Sequence, residues 1–200
     1  IIDMNILDKI SELSGMPQAM CARFVVSAPV RYKRYEIPKR NGGGTRLIAQ
    51  PSKSVKPLQR VCISELRGVL PIHGSALAYE AGTGIKRNAN KHRYNRYLLK
   101  MDFTNFFPSI KPDVLLSTFE QHNVALTEVD KFVLSSLLFW KPSRSESTLE
   151  LSIGAPSSPF ISNAVMYFFD VAVTEYCERK GITYTRYADD LAFSTNTADI

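Results

Sequence analysis

The 200-residue sequence predicts an α+β fold, and its residue patterns carry that prediction. Apolar residues recur with helical spacing, as at Ile6, Ile10 and Leu13. Short runs rich in β-branched and aromatic residues occur in pairs, as expected of hairpin strands. Hydrophobic residues make up 44% of the chain and charged residues 22%, which is ordinary for a globular protein. No apolar run approaches the length of a membrane span.

In the first half of the chain, turn residues separate the predicted elements. A helix over 3–14 is closed by Gly15, and a second helix starts after Pro17 and ends near Pro29. The elements expected after them are strands over 31–37 and 45–50, joined by the glycine-rich loop 41–44, a helix over about 53–69, and a loop with a basic stretch to Arg96.

The second half begins with an apolar segment, 97–102, that predicts a buried strand. The elements expected after it are helices over about 111–121 and 127–140, a strand over 148–153, a long helix from about 157 to 180 capped by Gly181, and a hairpin over 182–196. The first residue is not Met and the last predicted strand ends the chain, so we expect this sequence to be part of a longer protein.

Positive charge is concentrated in residues 31–100. That segment holds sixteen lysines and arginines against three acidic residues, a net charge of +13, whereas the remainder carries −7. Four tyrosines are interleaved with the cations: Tyr32, Tyr35, Tyr94 and Tyr97. A basic segment of this length is the electrostatic footprint of a polyanion partner. It predicts nucleic-acid binding, with a solvated charged face as the simpler alternative.

Cysteine and histidine usage argues against disulfides and zinc. The three cysteines, Cys21, Cys62 and Cys177, lie far apart and form neither a metal motif nor an even set. The three histidines form no ligand cluster. The N-terminus lacks the basic flank and apolar stretch of a signal peptide. These features predict a reducing, cytoplasmic location and no membrane partner.

Three aspartates stand where they gain nothing from packing. Asp189 and Asp190 lie at the bend of the predicted hairpin, and Asp102 ends the apolar strand. Adjacent carboxylates repel one another, and a divalent cation is the usual means of offsetting that repulsion. Taken singly, the pair is also explained as an acidic turn, and Asp102 as a solubilising strand end.

Small residues precede the long C-terminal helix in the segment Gly154-Ala-Pro-Ser-Ser-Pro159. Such residues permit close approach of a ligand or a base-paired duplex, and a helix start can bind anions. By itself the segment is an ordinary turn before a helix that begins with proline.

In this order, the strand aspartate followed by paired aromatics, the small-residue loop and the aromatic-x-Asp-Asp hairpin resemble the palm of a reverse transcriptase. The resemblance runs from about residue 30 to the end. Asn88-Ala-Asn-Lys-His92 resembles the Asn-Ala-x-x-His signature of bacterial retron reverse transcriptases. Arg46-Leu-Ile-Ala-Gln-Pro51, with Leu58 and Gln59, resembles a fingers segment of retron and group II intron enzymes.

The resemblance implies a right-hand polymerase fold of the α+β class. Fingers would occupy 1–98, a palm with an antiparallel sheet would occupy 99–200, and the thumb would be missing from this chain. It also implies two magnesium ions, roughly 3.5–4 Å apart, as in two-metal sites. Asp102 and Asp189 would hold both ions, Asp190 would support the catalytic ion, and the backbone carbonyl of Phe103 would be a further ligand.

Other residues match the family's nucleotide and nucleic-acid contacts. Lys39 and Arg46 would grip the incoming triphosphate. Phe107 would be the steric gate that excludes a ribose 2′-hydroxyl and so selects deoxynucleotides. Ala155 and Pro156 would floor the nucleotide pocket. The implied template or primer contacts are Ser157, Ser158, Tyr187, Asn88 and His92.

One residue departs from the family pattern. Ile153 stands where many reverse transcriptases have Gln before the glycine of the small-residue loop. The contact that Gln makes with the sugar or template region is therefore not expected here. All three carboxylates are present, so we expect the metal chemistry to be retained.

The retron resemblance implies a structured noncoding RNA as template, its DNA product and deoxynucleoside triphosphates as partners. It further implies a branched RNA–DNA molecule, phage defence and an effector protein. Two alternatives stay open: another bacterial reverse transcriptase (group II intron, diversity-generating or abortive-infection type), or a non-catalytic RNA-binding scaffold. A scaffold would use residues 31–100 but would have no reason to keep three repelling carboxylates.

Overall fold

The computed structural model describes residues 4–39, 43–143, 145 and 147–198. The helices are α1 (Ile6–Ser14), α2 (Gln18–Ser27), α3 (Val55–Leu66), α4 (Ile85–His92), α5 (Phe106–Ser109), α6 (Pro112–Gln121), α7 (Glu128–Leu138), α8 (Ser158–Val165) and α9 (Tyr167–Arg179), with a 3₁₀ turn at Ala28–Val30. The strands are β1 (Tyr32–Pro38), β2 (Thr45–Pro51), β3 (Tyr97–Asp102), β4 (Thr183–Tyr187) and β5 (Asp190–Thr195). No helix in the described part of the chain is both long and apolar enough to cross a membrane.

The chain forms two compact units, each built from two separate segments. The first unit comprises Ile1–Leu70 and Phe107–Ser158, and the second comprises Pro71–Phe106 and Pro159–Ile200. This division differs from the predicted single boundary between residues 98 and 99. Its physical basis is backbone pairing, because residues 75–77 hydrogen-bond with Arg186 of β4 and so belong with the second sheet. The assignment of fingers and palm stays a prediction.

Helices make up most of the first unit. As predicted, α1 buries Ile6 and Ile10 and ends at Gly15, whose φ of 68° suits glycine. The Ile6 N–H at the start of α1 has no partner within its own helix, and it donates to Asp130 Oδ1 of α7 at 2.9 Å. Gln59 on α3 donates to the Leu137 carbonyl at 2.8 Å. These bonds hold three helices around one core.

The strands of the first unit form an antiparallel hairpin, β1 with β2. Tyr32 pairs with Pro51 at one end, and Pro38 pairs with Thr45 at the other. This confirms the two strands predicted for residues 31–50. Residues 41 and 42 of the predicted glycine-rich loop lie outside the described residues.

The second unit is built on a three-stranded antiparallel sheet in the order β3-β5-β4. The β4–β5 pair confirms the predicted C-terminal hairpin. Cys177, Tyr184 and Leu191 form the buried cluster between α9 and the sheet, and Phe103 and Phe193 pack against it. The three cysteines of the chain are free and buried, in agreement with the prediction.

The strand predicted over 97–102 is confirmed as β3, but the prediction that it is buried is wrong. β3 is the edge strand of its sheet, and Leu98 is 58% and Met101 51% exposed. Leu99 and Met101, which project from the same face of β3, line an open apolar groove together with side chains of α9. An apolar run shows only that a segment tends to be buried, and it does not show what covers the segment.

Three further predictions need correction. The predicted strand 148–153 is a single bridge between Trp140 and Glu150, because the next amide, Leu151 N–H, donates to Ile110 instead. The predicted long helix is two helices, since Met166 adopts φ −88° and ψ 1°, outside the helical range. The basic stretch before Arg96 contains the helix α4.

Candidate active site

Two of the three predicted carboxylates face each other across the second sheet. Asp102, the last residue of β3, pairs with Asp190, the first residue of β5. Residues directly opposite one another in an antiparallel pair project from the same face. Asp189 precedes Asp190 in the turn, and its carbonyl accepts the Phe103 N–H at 3.1 Å. The antiparallel register thus gathers all three aspartates at one end of the sheet.

The turn that carries these aspartates has an unusual backbone. Only Ala188 and Asp189 separate β4 from β5, and Ala188 has a φ of 58°. Two-residue hairpin turns require a positive φ at their first position, which glycine usually occupies. A left-handed alanine costs about 1–2 kcal/mol, so contacts elsewhere must hold this turn.

Beneath the turn lies a buried ion pair. The guanidinium of Arg186 and the carboxylate of Asp170 are both fully buried. Arg186 Nη2 donates to Asp170 Oδ2 at 2.6 Å, and Nε donates to Oδ1 at 2.9 Å. The Tyr184 hydroxyl donates to the same Oδ1 at 2.7 Å. Burial, followed by the charge of Asp170, raises the pKa of Tyr184, so this hydroxyl keeps its proton.

The carboxylates suit a hard divalent cation by their chemistry. Magnesium prefers oxygen ligands and is bound through one or two carboxylates together with substrate phosphates. Neither Asp102 nor Asp190 has a side-chain hydrogen bond or ion pair with another described residue, so their charges stay uncompensated. Among the described residues, no group of three His, Cys, Asp or Glu side chains is arranged as it stands to hold a metal. The donor set fits magnesium, which substrate oxygens would help to ligate.

The aromatic residues after Asp102 have different environments. Phe103 stacks on Phe106, with ring centroids 5.7 Å apart and planes 18° apart, and meets the Phe169 ring edge-on. Phe106 is buried, whereas Phe107 is half-buried. Phe106 therefore belongs to the core. Phe107, the predicted steric gate, begins the second segment of the first unit.

The small-residue loop packs against β2 within the first unit. The Ala49 N–H donates to the Ile153 carbonyl at 2.9 Å, so Ile153 anchors the loop through its backbone. Gly154 has a φ of 121°, and a Cβ there would lie 3.0 Å from Ile48 Cγ2. Close approach to the strand therefore requires glycine at this position.

The four predicted contact residues after Gly154 are largely buried. Ala155, Ser157 and Ser158 are buried and Pro156 is half-buried. Within the described part of the chain, the hydroxyls of Ser157 and Ser158 find no hydrogen-bond partner. Buried hydroxyls normally have one. A nucleotide or nucleic-acid contact for these residues stays a prediction.

The two predicted triphosphate-binding cations lie at the exposed end of the β1–β2 hairpin. Arg46, on β2, pairs with Ile37, and Lys39 follows β1 directly. The Lys39 N–H donates to the Gly44 carbonyl at 3.0 Å, which draws the two strand ends together. Both side chains are exposed to solvent. They belong to the first unit, whereas the aspartates belong to the second.

Asn88 and His92 lie one turn apart on α4 and face the second sheet. His92 Nδ1 lies 2.6 Å from Ser194 Oγ, and Nε2 lies 2.7 Å from Thr185 Oγ1. The Thr185 hydroxyl donates its one proton to Asn88 Oδ1, so it must accept from His92 Nε2–H. A neutral imidazole that donates from Nε2 and accepts at Nδ1 satisfies both partners, and the lowered pKa of His92 agrees with it. In this way His92 joins α4 to β4 and β5. The predicted nucleic-acid contact for both residues stays a prediction.

Tyr187, the last predicted contact residue, ends β4 opposite Asp190 and is half-buried. Residues on and after α4 present exposed positive charge in the same unit. The exposed cations are Lys86, Arg87, Lys91, Arg93, Arg96 and Lys100. The guanidinium of Arg93 lies over the ring of exposed Tyr94, 4.3 Å from its centroid. A cationic, partly aromatic surface of this kind suits a nucleic-acid backbone.

Sequence reasoning missed the buried pair Asp170–Arg186. A signal was present in each case: Asp170 interrupts an apolar helix, and Arg186 shares its strand face with Tyr184. Charged residues at inward positions are buried only when they are paired. A search for oppositely charged residues at such positions would have found the pair.

Comparison of the sequence with protein families finds a match over residues 37–200 to the family described as Reverse transcriptase (RNA-dependent DNA polymerase). Over 170 residues the chain is 45% identical to Retron Ec83 reverse transcriptase of Escherichia coli, covering 84% of this chain and 54% of that protein. It is 37% identical over 180 residues to Retron Ec73 reverse transcriptase of Escherichia coli, covering 86% of this chain and 56% of that protein. It is 35% identical over 175 residues to Retron Mx65 reverse transcriptase of Myxococcus xanthus, covering 82% of this chain and 40% of that protein. The chain thus spans about half the length of these relatives.

Two solved structures are similar in fold. The apo telomerase of Candida tropicalis, truncated from its C-terminal domain, superposes with a TM-score of 0.51 at 11% identity, covering 92% of this chain and 50% of that one. The telomerase of Candida albicans in complex with a fragment of telomeric RNA superposes with a TM-score of 0.53 at 13% identity, covering 84% of this chain and 38% of that one. At such low identity these likenesses concern the fold alone. They agree with an α+β polymerase fold.

Proposed function

The chain belongs to the reverse transcriptase family and is of the bacterial retron type, and we propose on that basis that the protein is a magnesium-dependent RNA-directed DNA polymerase. The observation that carries the proposal is the register of the second sheet, in which Asp102 pairs with Asp190 beside Asp189. A scaffold that only binds RNA would gain nothing from three carboxylates gathered at one sheet end, because they repel one another.

Asp102, Asp189 and Asp190 would hold two magnesium ions, with the backbone carbonyl of Phe103 as a further ligand. When bound, the ions would activate the primer hydroxyl and neutralise the charge on the attacked phosphate and the leaving pyrophosphate. The aspartates themselves orient the reacting groups through a rigid sheet end. Tyr187, opposite Asp190, would support the primer terminus.

Phe107 would select deoxynucleotides. A half-buried aromatic ring offers a hard surface on its exposed side, and a ribose 2′-hydroxyl would collide with it. Ala155 and Pro156 would floor the same nucleotide pocket. Lys39 and Arg46 are exposed and flank the loop of the first hairpin, which supports a role in gripping the triphosphate.

Template and primer would contact the cationic surface around α4. Six exposed cations lie within residues 86–100, and phosphate groups pair with such side chains regardless of base sequence. Ser157, Ser158, Asn88 and His92 are further proposed contacts. For His92, both ring nitrogens are already hydrogen-bonded, so its contribution would be to keep α4 in place.

The retron type supports a narrower proposal about substrate and role. The template would be a structured noncoding RNA, and the product a branched RNA–DNA molecule. Phage defence together with an effector protein, in the cytoplasm, would be the cellular function. These statements depend on the likeness to retron reverse transcriptases and concern the complete protein.

Primer extension on an RNA template tests the polymerase proposal. The complete protein would be assayed with magnesium and deoxynucleotides, as wild type, Asp189→Asn and Asp190→Asn. Because metal-held charge stabilisation is worth several kcal/mol, each variant should lose at least ~100-fold in rate. Asp113→Asn, an exposed aspartate on α6, is the matched control and should keep the wild-type rate. Equal rates in all four proteins would refute the proposal.

A further inference from the structure

We propose that Arg186 is a positioning residue for the catalytic turn. Its guanidinium, oriented by Asp170 and Asn163, holds the Ala188–Asp189 turn in the conformation that presents the two aspartates. This inference rests on the proposed polymerase function of the same site. Arg186 itself is buried beneath the turn and would touch neither substrate nor metal.

Stability alone does not explain why the pair is there. Two fully buried charges lose their hydration, and a well-packed apolar pair is often as stable or more stable. Buried charges that persist commonly specify one arrangement among several. The remaining contacts of the guanidinium identify the arrangement that it specifies here.

Those contacts lead directly to the turn. Arg186 Nη1 donates to the carbonyl oxygen of Ala188 at 3.0 Å and to Asn163 Oδ1 at 3.1 Å. Ala188 is the residue with the left-handed φ of 58°. A fixed cationic donor on the Ala188 carbonyl stabilises this strained conformation and sets the direction in which the chain continues into the next residue. That next residue is Asp189.

The guanidinium is fixed from both sides. Asp170 accepts from Nε and Nη2, and the Asn163 amide is itself held because its Nδ2 donates to the Ala78 carbonyl at 2.9 Å. The Arg186 N–H donates to the Ser75 carbonyl, and the Arg186 carbonyl accepts the Leu77 N–H, at 2.8 Å each. A donor held in this way does not need to reorganise when substrate binds.

The conformation of the turn also affects Asp102. The Asp189 carbonyl accepts the Phe103 N–H at 3.1 Å, one residue beyond Asp102. A displaced turn would therefore alter the position of all three carboxylates. The expected consequence is weaker divalent-cation binding and slower chemistry, with little change in primer–template binding.

Arg186→Lys in the complete protein is the main test. Lysine keeps the charge but has one nitrogen, which cannot reach Asp170 and the Ala188 carbonyl in the same fork geometry. Mn²⁺ binding, followed by electron paramagnetic resonance without substrate, should weaken at least threefold. The extension rate per folded enzyme should fall at least tenfold, and the magnesium concentration for half-maximal rate should rise, while primer–template affinity stays within twofold.

Two controls separate positioning from a general loss of stability. Val173→Ala removes core packing in the same unit without touching the hydrogen-bond network, so it should lower the melting temperature but not Mn²⁺ affinity. Ala188→Gly makes the left-handed φ easy to adopt. Added to Arg186→Lys, it should restore part of the lost extension rate and Mn²⁺ affinity.

If Arg186→Lys does not fold, Asn163→Ser provides the same measurement, because it removes the Asn163 acceptor that helps to orient Nη1 while leaving the pair with Asp170 intact. It should shift Mn²⁺ affinity in the same direction by a smaller factor. Wild-type Mn²⁺ affinity in the variant that folds, together with unchanged deuterium exchange at residues 187–190, would overturn the positioning role. An inactive wild type that binds Mn²⁺ normally would instead count against the polymerase proposal.

Discussion

His92 illustrates how a single side chain can be assigned a charge state from its neighbours. The hydroxyl of Thr185 gives its proton to Asn88, and Ser194 accepts from Asn95 at 2.8 Å, so Ser194 is free to donate to His92 Nδ1. Protonating Nδ1 would force the Ser194 hydroxyl to give up this donation and to accept from the ring instead. Burial also lowers the pKa of His92, because the imidazolium loses hydration there.

The lowered pKa predicts a loss of stability in acid. Below about pH 6.5 the unfolded chain takes up a proton on this histidine before the folded protein does, so protonation favours unfolding. The melting temperature should therefore fall as the pH drops below about 6.5, the ordinary pKa of histidine. Burial lowers the pKa of His122 in the same direction, so the total fall has two contributions.

His92→Gln isolates the contribution of His92. The variant should be about 1–3 kcal/mol less stable near neutral pH, since two buried hydrogen bonds are lost or weakened. Its melting temperature should also fall less on acidification than that of the wild type. His73→Gln, outside this network, should keep the wild-type pH dependence. A His92→Gln protein with the full acid-induced fall would contradict the prediction.

Phe107 carries a prediction about sugar selection. Phe107→Ala removes the proposed barrier to a 2′-hydroxyl, so incorporation of ribonucleotides relative to deoxynucleotides should rise by roughly 10–200-fold in kcat/KM, the range that steric discrimination supplies. The measurement is primer extension with each nucleotide type. Phe132→Ala, an exposed phenylalanine on α7, should leave the ratio unchanged. An unchanged ratio in Phe107→Ala would exclude the gate.

Among the elements, α4 links two predictions that the sequence had kept separate. Its inner face, with Asn88 and His92, hydrogen-bonds to β4 and β5. Three of the exposed cations, Lys86, Arg87 and Lys91, also lie on this helix, and Arg93 follows it directly. One helix thus attaches to the sheet that carries the three aspartates and presents exposed positive charge to solvent. The Asn-Ala-x-x-His spacing is explained by the i, i+4 geometry of the inner face.

Neutralising the exposed cations on and directly after α4 should weaken nucleic-acid binding mainly through electrostatics. In the triple variant that combines Arg87→Gln, Lys91→Gln and Arg93→Gln, the slope of log affinity against log salt concentration for an RNA–DNA primer–template should decrease in magnitude by about 2–3. The control is the double variant Arg179→Gln with Lys180→Gln, which removes two exposed cations at the end of α9 and should leave the slope nearly unchanged. Equal slopes in both variants would show that α4 does not face the phosphates.

The β4–β5 hairpin shows which element-level features were readable from sequence. β-branched and aromatic runs around the two aspartates predict strands and a bend, and β4 and β5 confirm them. The same reasoning misjudged β3, because hydrophobicity does not reveal whether a strand lies at the edge of a sheet. It also missed α4, whose eight residues include only one large apolar side chain, Ile85.

For the whole molecule, the chain order and the compact units do not coincide. The second unit draws on Pro71–Phe106 and Pro159–Ile200, and the first contributes the segment between them. The single boundary between residues 98 and 99 was predicted from the resemblance to a right-hand polymerase. Pairing of residues 75–77 with β4 is a long-range contact that composition does not encode.

The sequence by itself determined the family, the candidate aspartates and most of the helices and strands. These follow from residue types at short spacing, which local geometry translates directly into turns, strands and helix faces. The tertiary structure alone decided that Asp102 pairs with Asp190, that Arg186 supports a strained alanine, and that His92 is neutral. Each of these depends on register or burial between segments distant in sequence, where hydrogen-bond partners and dielectric environment are set by packing.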